Sequence, residues 1–94
     1  MTQVSIIESK QIDLGFQPSM KTLSRIMTAL VDNGIGGKTQ LSLDANLNYA
    51  RLAKHIAWLE KKGLVESKIE SSKINIVLTR NGKAFASMIL KDRY

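Results

Sequence analysis

Three cations recur at helical spacing along one stretch of the chain: Arg51, Lys54 and Lys61, with Ala50 and Ala57 among them. Arginine and lysine supply donors and positive charge, and the alanines keep the surface low enough for a rigid ligand to approach closely. Such a face suits phosphate oxygens and the acceptor edges of bases. Arg51 suits either bridging guanine O6 and N7 or holding a phosphate, and the residues alone leave both open. Asn48 and Tyr49 stand just before this stretch, where side chains and free N–H groups can meet a phosphate backbone. Asn48 equally suits a helix cap, and Tyr49 equally suits packing its ring on the domain. Farther along, Lys68 and Lys73 are further phosphate candidates, beside Ser71 and Ser72, which suit a turn. Arg80 either joins them or interacts within its own helix.

Bond-making chemistry has no comparable candidate. Cysteine is absent, which excludes disulfides, thiol catalysis and cysteine-ligated metal. His55 is the only histidine, the carboxylates are scattered, and no nucleophile has a recognisable base. Gly36-Gly37-Lys38-Thr39 ends like a phosphate-binding P-loop, but that motif needs a glycine where Asp32 stands and a strand before it. A linking role fits it better. The expectation is a protein that is not an enzyme, with no cofactor, no metal and no small-molecule substrate. His55 is expected to be partly buried and hydrogen-bonded, with a phosphate contact as its second reading. Trp58 suits packing or a dimer contact more than nucleic acid, and Met20, Met27 and Met88 fall at core spacing.

The elements that must position these residues follow from periodicity and punctuation. Residues 1–17 hold Ile12, Leu14 and Phe16 in alternation and end at Pro18, which reads as an arm packing on the domain or on a second subunit, or as a frayed tail. Residues 18–94 read as one domain. Ser19 caps a first helix over 19–33, with Met20, Leu23, Ile26, Met27, Leu30 and Val31 as its apolar stripe and Gly34 after its end. Beyond the flexible link 34–37, Thr39 is expected to cap a short second helix with Leu41 and Ala45 facing inward. Asn48 caps a third over 49–62, with Leu52, Ile56 and Leu59 inward and Gly63 as its stop. Two β-branched runs, 64–69 and 74–78, are joined by 70–73 as a hairpin, and Ile74, Ile76 and Leu78 share one strand face. Thr79 caps a last helix containing Ala84, Phe85, Met88 and Ile89.

Charge sharpens the picture. The chain of 94 residues carries a net +6. From Leu47 onward ten basic residues face only four acidic ones, so the whole excess lies in the half that holds the third helix and the hairpin. This asymmetry points to a polyanionic partner, though a merely solvated surface has the same composition. No apolar run approaches the roughly 18 residues of a membrane span, and no secretory signal is visible at residues 1–10, so a cytoplasmic, nucleoid-associated location is expected.

Helix, helix, helix, strand, strand, helix is the parts list of an α+β, mainly α, winged helix-turn-helix: three helices, a hairpin wing and a C-terminal helix. The residues Leu41 to Tyr49 resemble the helix-turn-helix of the small archaeal winged helix-turn-helix DNA-binding proteins and predicted transcriptional regulators, a group that includes a dimeric protein of Sulfolobus chromatin. Ile56 to Val65 is similar to that group's recognition-helix end and first wing strand, and Leu78 to Lys83 to its stretch after the wing. The resemblance covers about residues 20–92. It implies a homodimer and binding of double-stranded DNA, as a transcriptional regulator or chromatin-associated protein. Some relatives dimerise through a long C-terminal coiled coil. Here the last helix is expected to have about three turns, so a dimer would use that helix, the first helix or the arm. The competing reading is a protein-interaction adaptor in a transcription complex, with the arm and Trp58 meeting the partner.

Overall fold

The computed structural model describes residues 15–91, so Ile12 and Leu14 of the expected arm lie outside the described residues. Helix α1 spans Met20–Asn33, α2 Lys38–Asp44 and α3 Tyr49–Lys61. Strands β1 (Val65–Glu70) and β2 (Lys73–Leu78) form an antiparallel hairpin, and α4 (Arg80–Ile89) follows. The fold is therefore α+β and mainly helical, a three-helix unit with a hairpin wing and a last helix.

Three caps act where the sequence places them. Ser19, Asn48 and Thr79 accept through their side-chain oxygens from the backbone N–H of Thr22, Arg51 and Gly82. Each satisfies a donor that the first helical turn leaves free. The second helix departs from expectation. It begins at Lys38 with Gly37 as its N-cap and no side-chain cap, and Thr39 lies inside its first turn. The cause is tertiary: Gly36 forms an antiparallel bridge with Ile76, donating to its carbonyl at 3.4 Å and accepting from its N–H at 2.8 Å. The link is held extended up to Gly36, and the helix starts as soon as that pairing ends. The segment expected to be a flexible link thus also supplies a third edge to the sheet.

The core joins α1, α2, α3, the hairpin and α4 through Leu23, Ile26, Leu41, Leu52, Leu59, Ile76 and Ala86, all essentially without solvent contact. Burying the leucine and isoleucine side chains contributes about 1.5–3 kcal/mol each. Leu41 and Ala45 face inward as expected. Several expected core positions do not. Met20 and Val31 are exposed at the edges of the α1 stripe, and in α4 Met88 is 61% exposed and Ala84 is also outside. The inner face of α4 is instead Gly82, Ala86 and the half-buried Phe85 and Ile89, a small-residue face that lets the helix sit close to its neighbours. Of the three methionines assigned to the core, only Met27 belongs to it.

The closest approach lies between the end of α3 and the start of α4. Gly63 takes φ +75° after the last turn of α3, a left-handed value that glycine adopts without strain. Its carbonyl accepts from Thr79 Oγ1 at 2.6 Å, and the Leu64 carbonyl accepts from the Thr79 N–H at 3.1 Å. Gly82 sits against the same Leu64 carbonyl, and a Cβ built on it would overlap that oxygen. The hairpin closes on two residues, Ser71 and Ser72, with φ of 50° and 66°. Two left-handed residues in a row are the pattern of a type I′ turn, whose twist matches that of the strands. The ladder therefore extends one rung beyond the expected strands, to Glu70 opposite Lys73.

Candidate nucleic-acid interface

At 3.6 residues per turn, α3 presents three lines of side chains outside its buried stripe of Leu52, Ile56 and Leu59. The outermost line is Ala50, Lys54, Ala57 and Lys61, all exposed. Two long cations alternate with two methyl groups, so a partner can approach the helix between the lysines. Tyr49, Ala53 and Glu60 form the line on one flank. This flank meets the hairpin, where Ser67 Oγ donates to Glu60 Oε2 at 2.6 Å. Arg51, His55, Trp58 and Lys62 form the line on the other flank, about a quarter-turn from the outermost one.

That second flank meets the chain entering α1. The buried His55 donates from Nδ1 to the Arg51 carbonyl at 2.9 Å and accepts at Nε2 from the Ser19 N–H at 3.2 Å. Only the neutral ring with its proton on Nδ1 satisfies both bonds. The half-buried Phe16 ring meets the imidazole edge-on, with centroids 5.1 Å apart and planes at 84°. His55 is thus a buried, hydrogen-bonded histidine, as expected, and it fastens residues 16–19 to α3. Trp58 is half-buried against the core, with Lys62 Nζ 5.6 Å from its ring centroid, a cation–π contact.

The seven residues singled out from the sequence fall into three places. Lys54 and Lys61 share the outermost line of α3. Asn48, Tyr49 and Arg51 lie at the helix start, but Tyr49 and Arg51 stand on opposite flanks. Asn48 spends its Oδ1 on the cap, accepting from the Arg51 N–H at 2.7 Å. Lys68 and Lys73 lie on the hairpin, and the register puts them on one face with Glu66, Glu70, Asn75 and Val77. The opposite face carries Val65, Ser67, Ile69, Ile74, Ile76 and Leu78, and it is the one turned to α3 and the core. The two wing lysines are therefore on the far side of the hairpin from the contact with α3. Lys68 lines a cleft of about 860 Å³ together with Leu30 and Val31 of α1, Glu66 and Glu70 of β1, and Lys83 of α4. Near the turn, Ile69 and Ile74 are 76% and 58% exposed, beyond the reach of the core.

Two contributors escape a reading by residue type. Glu60 is acidic on a cationic helix, yet it bonds the hairpin to that helix. Gln17 belongs to the entering chain and lies beside Arg51 and Lys54 in a notch of about 340 Å³. Neither position has a sequence signal, because both roles depend on pairs distant along the chain. Among the described residues, no group of three or more histidine, aspartate or glutamate side chains could hold a metal ion, and no helix is long and apolar enough to cross a membrane.

A family model described as winged helix-turn-helix matches residues 19–92. No curated protein sequence matches. Among solved structures, the chain is similar to Sso10a-2, a DNA-binding protein from Sulfolobus solfataricus, with a TM-score of 0.69 and 22% identity over 81% of this chain and 78% of that one. It is similar to a MarR family transcriptional regulator from Silicibacter pomeroyi DSS-3, with a TM-score of 0.68 and 21% identity over 80% of this chain and 54% of that one. Another MarR family transcriptional regulator from Silicibacter pomeroyi has a TM-score of 0.64 and 26% identity over 77% of this chain and 52% of the other. The chain thus spans about half the length of these MarR regulators, and the likeness to them is one of fold.

Proposed function

The chain belongs to the winged helix-turn-helix family, and from that premise we propose that it binds double-stranded DNA, as a transcriptional regulator or chromatin-associated protein. The observation that carries this reading is the outermost line of α3, where Lys54 and Lys61 alternate with Ala50 and Ala57. In the proposed complex α3 enters the major groove along this line, and the two lysines meet base edges or the phosphates that border the groove. Asn48 and Tyr49 lie where the helix would cross a strand, and Lys73 beside the hairpin turn meets a flanking phosphate, whereas Lys68 lies in the cleft between α1 and α4. Charge supports the reading: the excess of +6 lies wholly in the half of the chain that builds α3, the hairpin and α4.

The working unit in this proposal is a homodimer. The cleft between α1 and α4, rimmed by the exposed Val31 and Ile35, supports the pairing of two copies. DNA as the partner implies action at the nucleoid, inside the cell.

Retention on immobilised duplex DNA tests the reading. The protein is expected to bind at low salt and to elute as salt rises, since each phosphate it neutralises releases counterions. Flow-through at low salt would remove the DNA reading and leave an adaptor that binds protein.

A further inference from the structure

We infer that the notch between the start of α1 and the flank of α3 seats one backbone phosphate, and that Arg51 fixes the position of the protein on DNA rather than reading a base. The inference rests on the DNA reading above and adds to it a residue-level division of labour.

The composition of the notch carries the argument. Phe16, Gln17 and Ser19 form one wall, and Ala50, Arg51 and Lys54 the other. His55 ties the walls together through its bonds to the Ser19 N–H and the Arg51 carbonyl. Two permanent cations and a carboxamide line the space, and among the described residues no carboxylate does. Two further clefts are mixed: Glu66 and Glu70 line one with lysines, and Asp32 and Asp44 line the other with Lys21 and Arg25. Arg51 and Lys54 make no ion pair with another described residue. A recess whose described lining is cationic, with no anion among it, is a place for a ligand's anion.

Direction narrows the ligand. Arg51 lies about a quarter-turn from the line of Ala50, Lys54, Ala57 and Lys61. When that line faces the floor of the groove, the guanidinium faces a groove wall, where the phosphates run. Lys54 stands on the border and reaches either. The notch is preorganised: the wall from Phe16 to Ser19 is held by the Phe16–His55 ring contact and by the cap of α1. Ala50 leaves the entrance open.

The test compares the wild type with Arg51→Ala, whose backbone carbonyl still accepts from His55, and with Gln17→Glu, which puts a carboxylate into the notch. Affinity is measured against salt on the duplex that selection from a random pool makes tightest, and on an unrelated duplex. A phosphate seat predicts that Arg51→Ala weakens both duplexes by the same factor. It also predicts a salt slope lower by about one, so that a rise from 50 to 200 mM salt costs the wild type about threefold more than the variant. Gln17→Glu is expected to weaken both duplexes at least as much. A loss confined to the selected duplex, with the slope unchanged, would make Arg51 a base reader and overturn the seat while leaving DNA binding in place. Unchanged binding by both variants would overturn it as well. A wild type without affinity for either duplex would take down the DNA reading and the seat together.

Discussion

The outer line of α3 and the far face of the hairpin both carry two lysines, but in different company. On the helix, Lys54 and Lys61 share a line with two alanines; Arg51 lies one turn before Lys54, Lys62 follows Lys61, and the carboxylate of Glu60 is turned to the hairpin. On the hairpin, Lys68 lies between Glu66 and Glu70 on the same face, and Lys73 pairs with Glu70 across the last rung. Successive residues on one strand face are about 7 Å apart, inside the Debye length of about 8 Å at physiological salt. Opposite charges at that range largely cancel, whereas like charges along the helix add. Counting basic residues gives the two regions equal weight. Their neighbours make α3 the stronger source of positive field and the hairpin a nearly neutral support.

The largest expected effect comes from cutting the support. Gly82→Ala places a methyl group on the Leu64 carbonyl, where α4 begins against the end of α3. It should cost about 3 kcal/mol or more of unfolding free energy in urea titration, as overpacking against backbone cannot be relieved by a rotamer change. Unchanged stability would mean that the junction is looser than the contact implies. Next in size is the direct comparison of the two lysine pairs. Lys54→Ala with Lys61→Ala should weaken duplex binding roughly thirtyfold, about 2 kcal/mol, as two phosphate or base contacts are lost. Lys68→Ala with Lys73→Ala should weaken it less than about fivefold in the same anisotropy titration. Equal losses would break the contrast between the regions. The smallest effect tests whether the hairpin tip is structural. Ser71→Asn with Ser72→Gly suits both left-handed residues of the turn and should raise stability by about 1 kcal/mol without changing affinity. An affinity change would show that the serines themselves touch the ligand.

What the sequence made legible was local. The caps at Ser19, Asn48 and Thr79 are single side chains acting on their own helices, and the order of elements follows from periods of 3.6 and 2. The α3 core stripe was legible too, because Leu52, Ile56 and Leu59 recur without competitors. Tertiary relations were not. Thr39 has the right chemistry for a cap, but the pairing of Gly36 with Ile76 decides where α2 begins. Periodicity marks Met20, Val31 and Met88 as apolar positions near a stripe, and it cannot say how wide a stripe the neighbours cover. Strand alternation separates Lys68 from Ile69, but only the bond from Ser67 to Glu60 reveals which face is turned to α3. The notch at Arg51 needs Gln17, thirty-four positions earlier in the chain.

The pairing of Gly36 with Ile76 reaches beyond the start of α2. It stitches the inner strand of the hairpin to the segment that launches the helix-turn-helix, while Ser67 and Glu60 stitch the outer strand to α3. The wing is thereby fixed from both edges to the body that carries the recognition face. In the proposed complex such a molecule would meet a duplex as a ready-made mould, and the entropic penalty of association would be correspondingly small.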